Sequence, residues 1–148
     1  MPTDPKLKEE AGKKIAKANW LRAIARIEVL AVTEEAAKSS LEKHVQKIEK
    51  DERLIVYTKE FGDEIKKLTN PLPHIKEAYS QIVSLEFAAK GLESLVFFVM
   101  AYGPSSLEVI EPHKFSVDIG EAQSILTAIS SMMHQFASTG AGGLLVST

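Results

Sequence analysis

Residues 79–112 read YSQIVSLEFAAKGLESLVFFVMAYGPSSLEVIEP, and the fold turns on how this stretch divides. Val83, Leu85 and Phe87 alternate with Ser84 and Glu86, the period of a strand with one buried face. The same letters also suit one helix from Glu77 to Tyr102, because Ile82, Leu85, Ala89, Leu92, Val96 and Val99 share a helical stripe. Gly91 favours the division into a strand over about 80–87 and a helix over 91–102. That helix would carry Leu92, Leu95, Val96, Phe97, Phe98, Val99 and Met100, apolar on nearly every side, so more than one of its faces needs cover. Gly103-Pro104 stops it, since Gly takes the left-handed cap and Pro cannot continue. Leu107, Val109 and Pro112 then alternate with Glu108 and Glu111 as a second strand.

Upstream, Pro5 to Asn19 is rich in helix formers, with Leu7, Ala11, Ile15 and Ala18 at helical spacing. The stripe is thin and Gly12 weakens it, so this helix needs something to dock on. From Leu21 the period changes to two: Leu21, Ala23, Ala25, Ile27, Val29 and Ala31 share one side of a long strand. One helix from Lys6 to Leu30 is the rival reading. Thr33 with Glu34 and Glu35 caps and charges the start of a helix that runs to about Lys50 on a stripe of Ala37, Leu41, Val45 and Ile48. Arg53 to Phe61 holds the strand-forming run Leu54-Ile55-Val56-Tyr57-Thr58. Gly62 to Ala78 reads as a long connection, with about two helical turns over Asp63 to Leu68 and an extended Asn70-Pro71-Leu72-Pro73.

Downstream, Asp118-Ile119-Gly120-Glu121 has the spacing of a capping box for a final helix to about Phe136. Its apolar stripe is Ile119, Ala122, Leu126, Ile129, Met133 and Phe136. Residues 138–148 have the composition of a flexible linker with an apolar end.

Strand, helix, strand, connection, strand, helix, strand is the order of an α+β, ferredoxin-like split βαβ sandwich: a four-stranded antiparallel sheet, here with additional N- and C-terminal helices. Residues 1–19 would form a basic helical arm, 20–137 a single domain and 138–148 a Gly-rich tail. Right-handed crossovers put both internal helices on one face. The other face mixes Trp20, Ile24, Leu30 and Val32 with Arg22, Arg26 and Glu28, and calls for cover by a terminal helix or a second subunit.

Val83-Ser84-Leu85-Glu86-Phe87, Gly91-Leu92-Glu93-Ser94-Leu95-Val96-Phe97-Phe98, Gly103-Pro104 and Glu108-Val109-Ile110-Glu111-Pro112 ahead of a final helix resemble the ferredoxin-like C-terminal extension of WYL-type transcriptional regulators. The resemblance covers roughly residues 80–137. It implies ligand sensing and subunit contact. The chain has neither the helix-turn-helix nor the Trp-Tyr-Leu domain of that family, so DNA binding does not carry over.

Composition narrows the function classes. The 148 residues, 45% apolar and 26% charged, suit one globular domain that buries its core without disulfides. The run Leu95 to Tyr102 is far too short to span a bilayer, which takes ~20 residues. The N-terminus has no apolar signal segment, so a cytoplasmic location and no membrane are expected. With no cysteine, a thiolate nucleophile and a Cys-ligated metal are excluded. The scarcity of Asn and Gln beside many Lys and Glu resembles heat-adapted proteins. Residues 1–26 carry a net +4 and the rest a net −6, a slightly acidic body that disfavours duplex binding.

No catalytic set is visible, and no cofactor or metal site is expected. His44, His74, His113 and His134 are not spaced as metal ligands. Glu111 and His113, at the exit of the last strand, are the candidate ligand contacts. Gly140-Ala141-Gly142-Gly143 lacks the Lys-Ser/Thr of a phosphate loop, and Ser105-Ser106 lacks a nucleophile elbow. Lys13, Lys14, Lys17, Arg22 and Arg26, with Trp20 among them, are candidate polyanion contacts for single-stranded RNA. The sequence thus reads as a non-enzymatic, homo-oligomeric ligand-sensing or interaction module. An RNA- or nucleoprotein-associated subunit and an enzyme with a site between subunits are the alternatives.

Overall fold

The structure, a computed structural model, describes residues 2–138. Contacts divide the chain into two units, Met1–Lys114 and Phe115–Thr148. The first holds α1 (Pro5–Ala18), β1 (Leu21–Ala31), α2 (Glu34–Glu49), β2 (Leu54–Phe61), β3 (Lys66–Leu72), β4 (Ile75–Ala89), α3 (Leu92–Tyr102) and β5 (Ser106–Glu111). The second holds α4 (Ile119–Ser138). Of the tail expected over 138–148, Ser138 closes α4 and residues 139–148 lie outside the described residues.

The strands form one five-stranded antiparallel sheet in the order β2-β4-β1-β5, with β3 also paired to β4. Its spine is β4, which pairs with β1 from Leu21↔Ala89 to Ala31↔Tyr79. Along its other edge it pairs first with β2, Leu54↔Ala89 to Phe61↔Val83, and then with β3, Lys66↔Ser80 to Leu72↔Ile75. The four strands and long connection expected from sequence are therefore corrected to five strands. Residues 63–68, expected as helical turns, lead into and form β3 instead. A lengthened β4 offers strand partners to residues 66–69 and to Leu72, and that outweighs a weak local helical preference. Asn70-Pro71 falls where the β3 register slips, a place where the missing proline N–H costs no ladder bond.

One face of the sheet carries the main core. Leu21, Ala23, Ala25 and Ile27 of β1 and Val83, Leu85, Phe87 and Ala89 of β4 pack with Leu41, Val45 and Ile48 of α2 and Leu95 and Phe98 of α3. The Phe87 and Phe98 rings lie 4.7 Å apart. The small Ala23 and Ala25 leave room for these rings and for both helices on the same face. The strand-plus-helix division of residues 79–102 depends on Gly91, whose φ of 147° is open to few other residues. At the far end of α3, Gly103 takes a left-handed φ of 53° and returns its N–H to the Val99 carbonyl.

On the opposite face α1 docks through Leu7, Ala11 and Ile15 onto Trp20, Tyr57, Ala88 and Ile55. Asp4 caps α1 by accepting from the Lys6 and Leu7 amides. The residues just before it line the outer edge of β2: Asp4 N donates to Tyr57 O at 2.7 Å and Lys59 N to Pro2 O at 3.1 Å. The N-terminus thus blunts an edge that would otherwise be open to pairing.

Two glycines of opposite role test these assignments. Gly12 lies in α1 with open space around it, so Gly12→Ala should raise stability by about 0.5–1 kcal/mol. Gly91→Ala should lower it by about 1–3 kcal/mol, because the new side chain meets a forbidden backbone conformation. Urea titration of both variants reads the difference.

A candidate small-ligand cleft beside the β4 ladder break

Between Phe61, the last residue of β2, and Lys66, the first of β3, the outer edge of β4 changes partner. Gly62 bridges the gap, its N–H donating to Ile82 O at 2.8 Å. Beside it, Gln81 is 6% exposed and its Nε2 donates to Gly62 O at 3.0 Å. That bond fixes which end of the amide is which. The Gln81 Oε1 is then buried with no hydrogen-bond donor among the described residues. Such an acceptor costs about 1–3 kcal/mol of desolvation, so its retention calls for a reason.

A cavity of about 350 Å³ sits at this point, lined by Gln81, Phe61, Gly62, Asp63 and Ile65 from the sheet and by Lys38 and Glu42 from α2. A second hollow, lined by Gly62, Asp63, Glu64, Lys66, Ser80 and Ile82, shares Gly62 and Asp63 with it. A third continues the groove between α2 and β2, where Lys59 pairs with Glu49 at 3.1 Å. Among the described residues no ion pair engages Lys38, Glu42 or Asp63.

A bulge aims Phe61 into this place. Strict alternation from Leu54 and Val56 would put Thr58 and Glu60 on the core face. The register of β2 slips between Val56 and Thr58, which re-phases the strand so that Lys59 and Phe61 turn toward α2. Tyr57, the extra residue, is 2% exposed and packs on the α1 side with Ala88.

The residues singled out from sequence are dispersed. Lys13 pairs with Glu9 at 3.6 Å, Lys14 stands 5.5 Å from the Trp20 ring centre, and Lys17 and Arg26 are exposed. The Arg26 carbonyl accepts from Ser105. Arg22, expected as a polyanion contact, meets Glu111, expected as a ligand contact: Arg22 Nε donates to Glu111 Oε1 at 2.6 Å. Arg22 also donates to the Tyr57 hydroxyl, which is bonded in turn to Glu86. The chain Glu86, Tyr57, Arg22, Glu111 crosses four strands on the α1 side. Burial and the Glu86 carboxylate together push the Tyr57 phenol well above its usual range. His113 is exposed in the segment after β5.

A further polar cluster ties α2, the turn before β2 and α3 together. Arg53 holds Asp51 at 2.9 Å, Tyr102 Oη donates to Asp51 at 3.1 Å, and the Tyr102 carbonyl lies 3.0 Å from His44 Nε2. Among the described residues no group of His, Asp and Glu is placed to hold a metal, and no helix is long and apolar enough to cross a membrane. Gln81 and its cavity were missed by the sequence reading. The one trace there is an amide at a position whose neighbours at i+2 and i+4, Val83 and Leu85, are core residues.

The chain is thus an α+β domain with an antiparallel five-stranded sheet and a cleft where two strands succeed one another. It belongs to the MJ0538 family, whose profile matches residues 22–146. No curated protein and no solved structure matches it.

Gln81→Leu removes the unpaired acceptor and leaves Gly62 O, on an exposed residue, to water. Its stability should therefore match or exceed the parent's, against the loss of about 1 kcal/mol usual for a deleted hydrogen bond. Chemical denaturation measures this. Asp51 gives a pH test. Its hydrogen bond from Arg53 holds the carboxyl below its ordinary value of 3.8 despite partial burial. The stability this contributes is full above that value and is lost as pH falls through the lower folded value. Melting curves of Asp51→Asn should show a shallower acid limb than those of the parent.

Proposed function

We propose that this chain is a non-enzymatic, ferredoxin-like ligand-sensing module that takes a small polar molecule into the cleft at the β4 ladder break and works as a homo-oligomer. The observation that carries the reading is the buried Gln81 Oε1, an acceptor with no donor among the described residues, beside a cavity whose charged side chains form no ion pair among those residues. A cavity of about 350 Å³ falls at the small end of the range for ligand sites, about 300–1,000 Å³.

Two strand-helix-strand units, β1-α2-β2 and β4-α3-β5, interleaved as β2-β4-β1-β5, support the ferredoxin-like reading, with β3 an addition along the edge of β4. The resemblance of residues 80–137 to the C-terminal extension of WYL-type regulators points toward ligand sensing as well. Self-association is supported by apolar side chains left exposed on the first unit: Leu30 at 46%, and Val99 and Val109 at 43% each.

The test titrates the full chain with a library of small polar metabolites while following the Gln81 side-chain amide by NMR, with light scattering for mass. A saturable shift at Gln81 is expected. A ligand at about a hundred times its Kd should also stabilise the fold by about 2.7 kcal/mol. A Gln81 signal silent to every compound removes the ligand-sensing reading, and a strict monomer with and without ligand removes the oligomeric part. Salt-sensitive retention on single-stranded RNA, lost when Lys13, Lys14, Lys17, Arg22 and Arg26 are neutralised, would replace the reading with an RNA-associated one.

A further inference from the structure

The walls of the cleft also narrow what it takes, an inference that rests on the ligand-sensing reading above. We infer that the occupant is a small aliphatic zwitterion, an α-amino acid with a branched apolar side chain. Gln81 Oε1, an acceptor, has no donor among the described residues, while one Nε2 hydrogen goes to Gly62 O, so the occupant that pairs the oxygen must bring an N–H or O–H donor. Glu42 and Asp63 against Lys38 leave the lining one negative charge in excess, which makes an ammonium the favoured donor. Lys38 is the one cation that the described residues give the lining, and it suits a carboxylate. Phe61 and Ile65, both half-buried, supply an apolar wall for a short aliphatic chain.

Other occupants meet only part of this lining. A neutral polyol would satisfy Gln81 and leave the charges without counterparts. A divalent cation would suit the two carboxylates and the amide oxygen but be repelled by Lys38. A carboxylic acid without an ammonium would meet Lys38 and present an anion to Glu42 and Asp63. Only a molecule with both charges and an apolar end uses every wall.

The test uses the full chain, isothermal titration calorimetry and the Gln81 side-chain amide signals, with four probes: L-leucine, 3-methylbutylamine, 4-methylpentanoate and calcium chloride. Leucine should bind and shift Gln81, and each singly charged analogue should bind at least about tenfold more weakly, the cost of one missing charge-assisted hydrogen bond. Lys38→Gln should bring leucine down to the level of the amine. Lys43→Gln, exposed on α2 and outside all three linings, should leave leucine binding unchanged. The assignment is overturned if the amine binds as well as leucine, if calcium alone produces the Gln81 shift, or if Lys43→Gln has the same effect as Lys38→Gln. It is also overturned, alone, if leucine is silent while another metabolite of the library shifts Gln81. Silence toward leucine and the whole library removes the ligand-sensing reading along with it.

Discussion

The rest of the structure depends on the hydrogen-bonding capacity of a single strand. β4 offers fifteen residues of backbone, and both of its edges must be satisfied. β1, at eleven residues, meets most of one edge alone. Neither β2 nor β3, at eight and seven, covers the other, so the two stand end to end along it. Wherever two short strands succeed one another on a long one, the chain must leave the ladder and come back, and a hollow remains. Gly62 and Gln81 mend that hollow only in part.

The two faces of the sheet are held by different chemistry. The main core is dry and aromatic at its centre, with Phe87 against Phe98. On the α1 side a single helix docks, and a polar chain through Glu86, Tyr57, Arg22 and Glu111 shares the cover. This explains why β1 mixes charge with apolar groups on that side: Arg22 is a cross-strand tie whose guanidinium is kept charged, burial notwithstanding, by Glu111 and the Tyr57 hydroxyl. The bulge that buries Tyr57 on this face is also what turns Phe61 to the other. Tie and cleft therefore share one local departure from regular pairing.

Much of the fold was legible because it follows from local rules. Thr33 with Glu34 and Glu35 marked the start of α2, and Gly103-Pro104 the end of α3. The alternation in residues 21–31 marked a strand in spite of its helix-prone Ala and Arg content. The α2 stripe of Ala37, Leu41, Val45 and Ile48 is buried as its spacing implied. Where the reading went astray, the deciding partner was remote. Residues 66–72 carry two lysines, an asparagine and a proline, which suggest a connection, and only the free edge of β4 makes them a strand. In α4 the expected apolar stripe includes Ile119 at 84% exposure and Leu126 at 67%, whereas Ile125 is buried, so helical spacing predicted the helix but not its covered side.

By itself, then, the sequence determined most of the elements, their order and the sides of β1 and β4 that seek the core, because capping, turn chemistry and the two hydrophobic periods act over a few residues. Tertiary structure alone decided the fifth strand, the bulge at Tyr57, the pairing of Arg22 with Glu111 and the cleft at Gln81. Each of these is a meeting of backbone or side-chain groups far apart in the chain. A donor that is lacking, as at Gln81 Oε1, becomes visible only when every neighbour is in place.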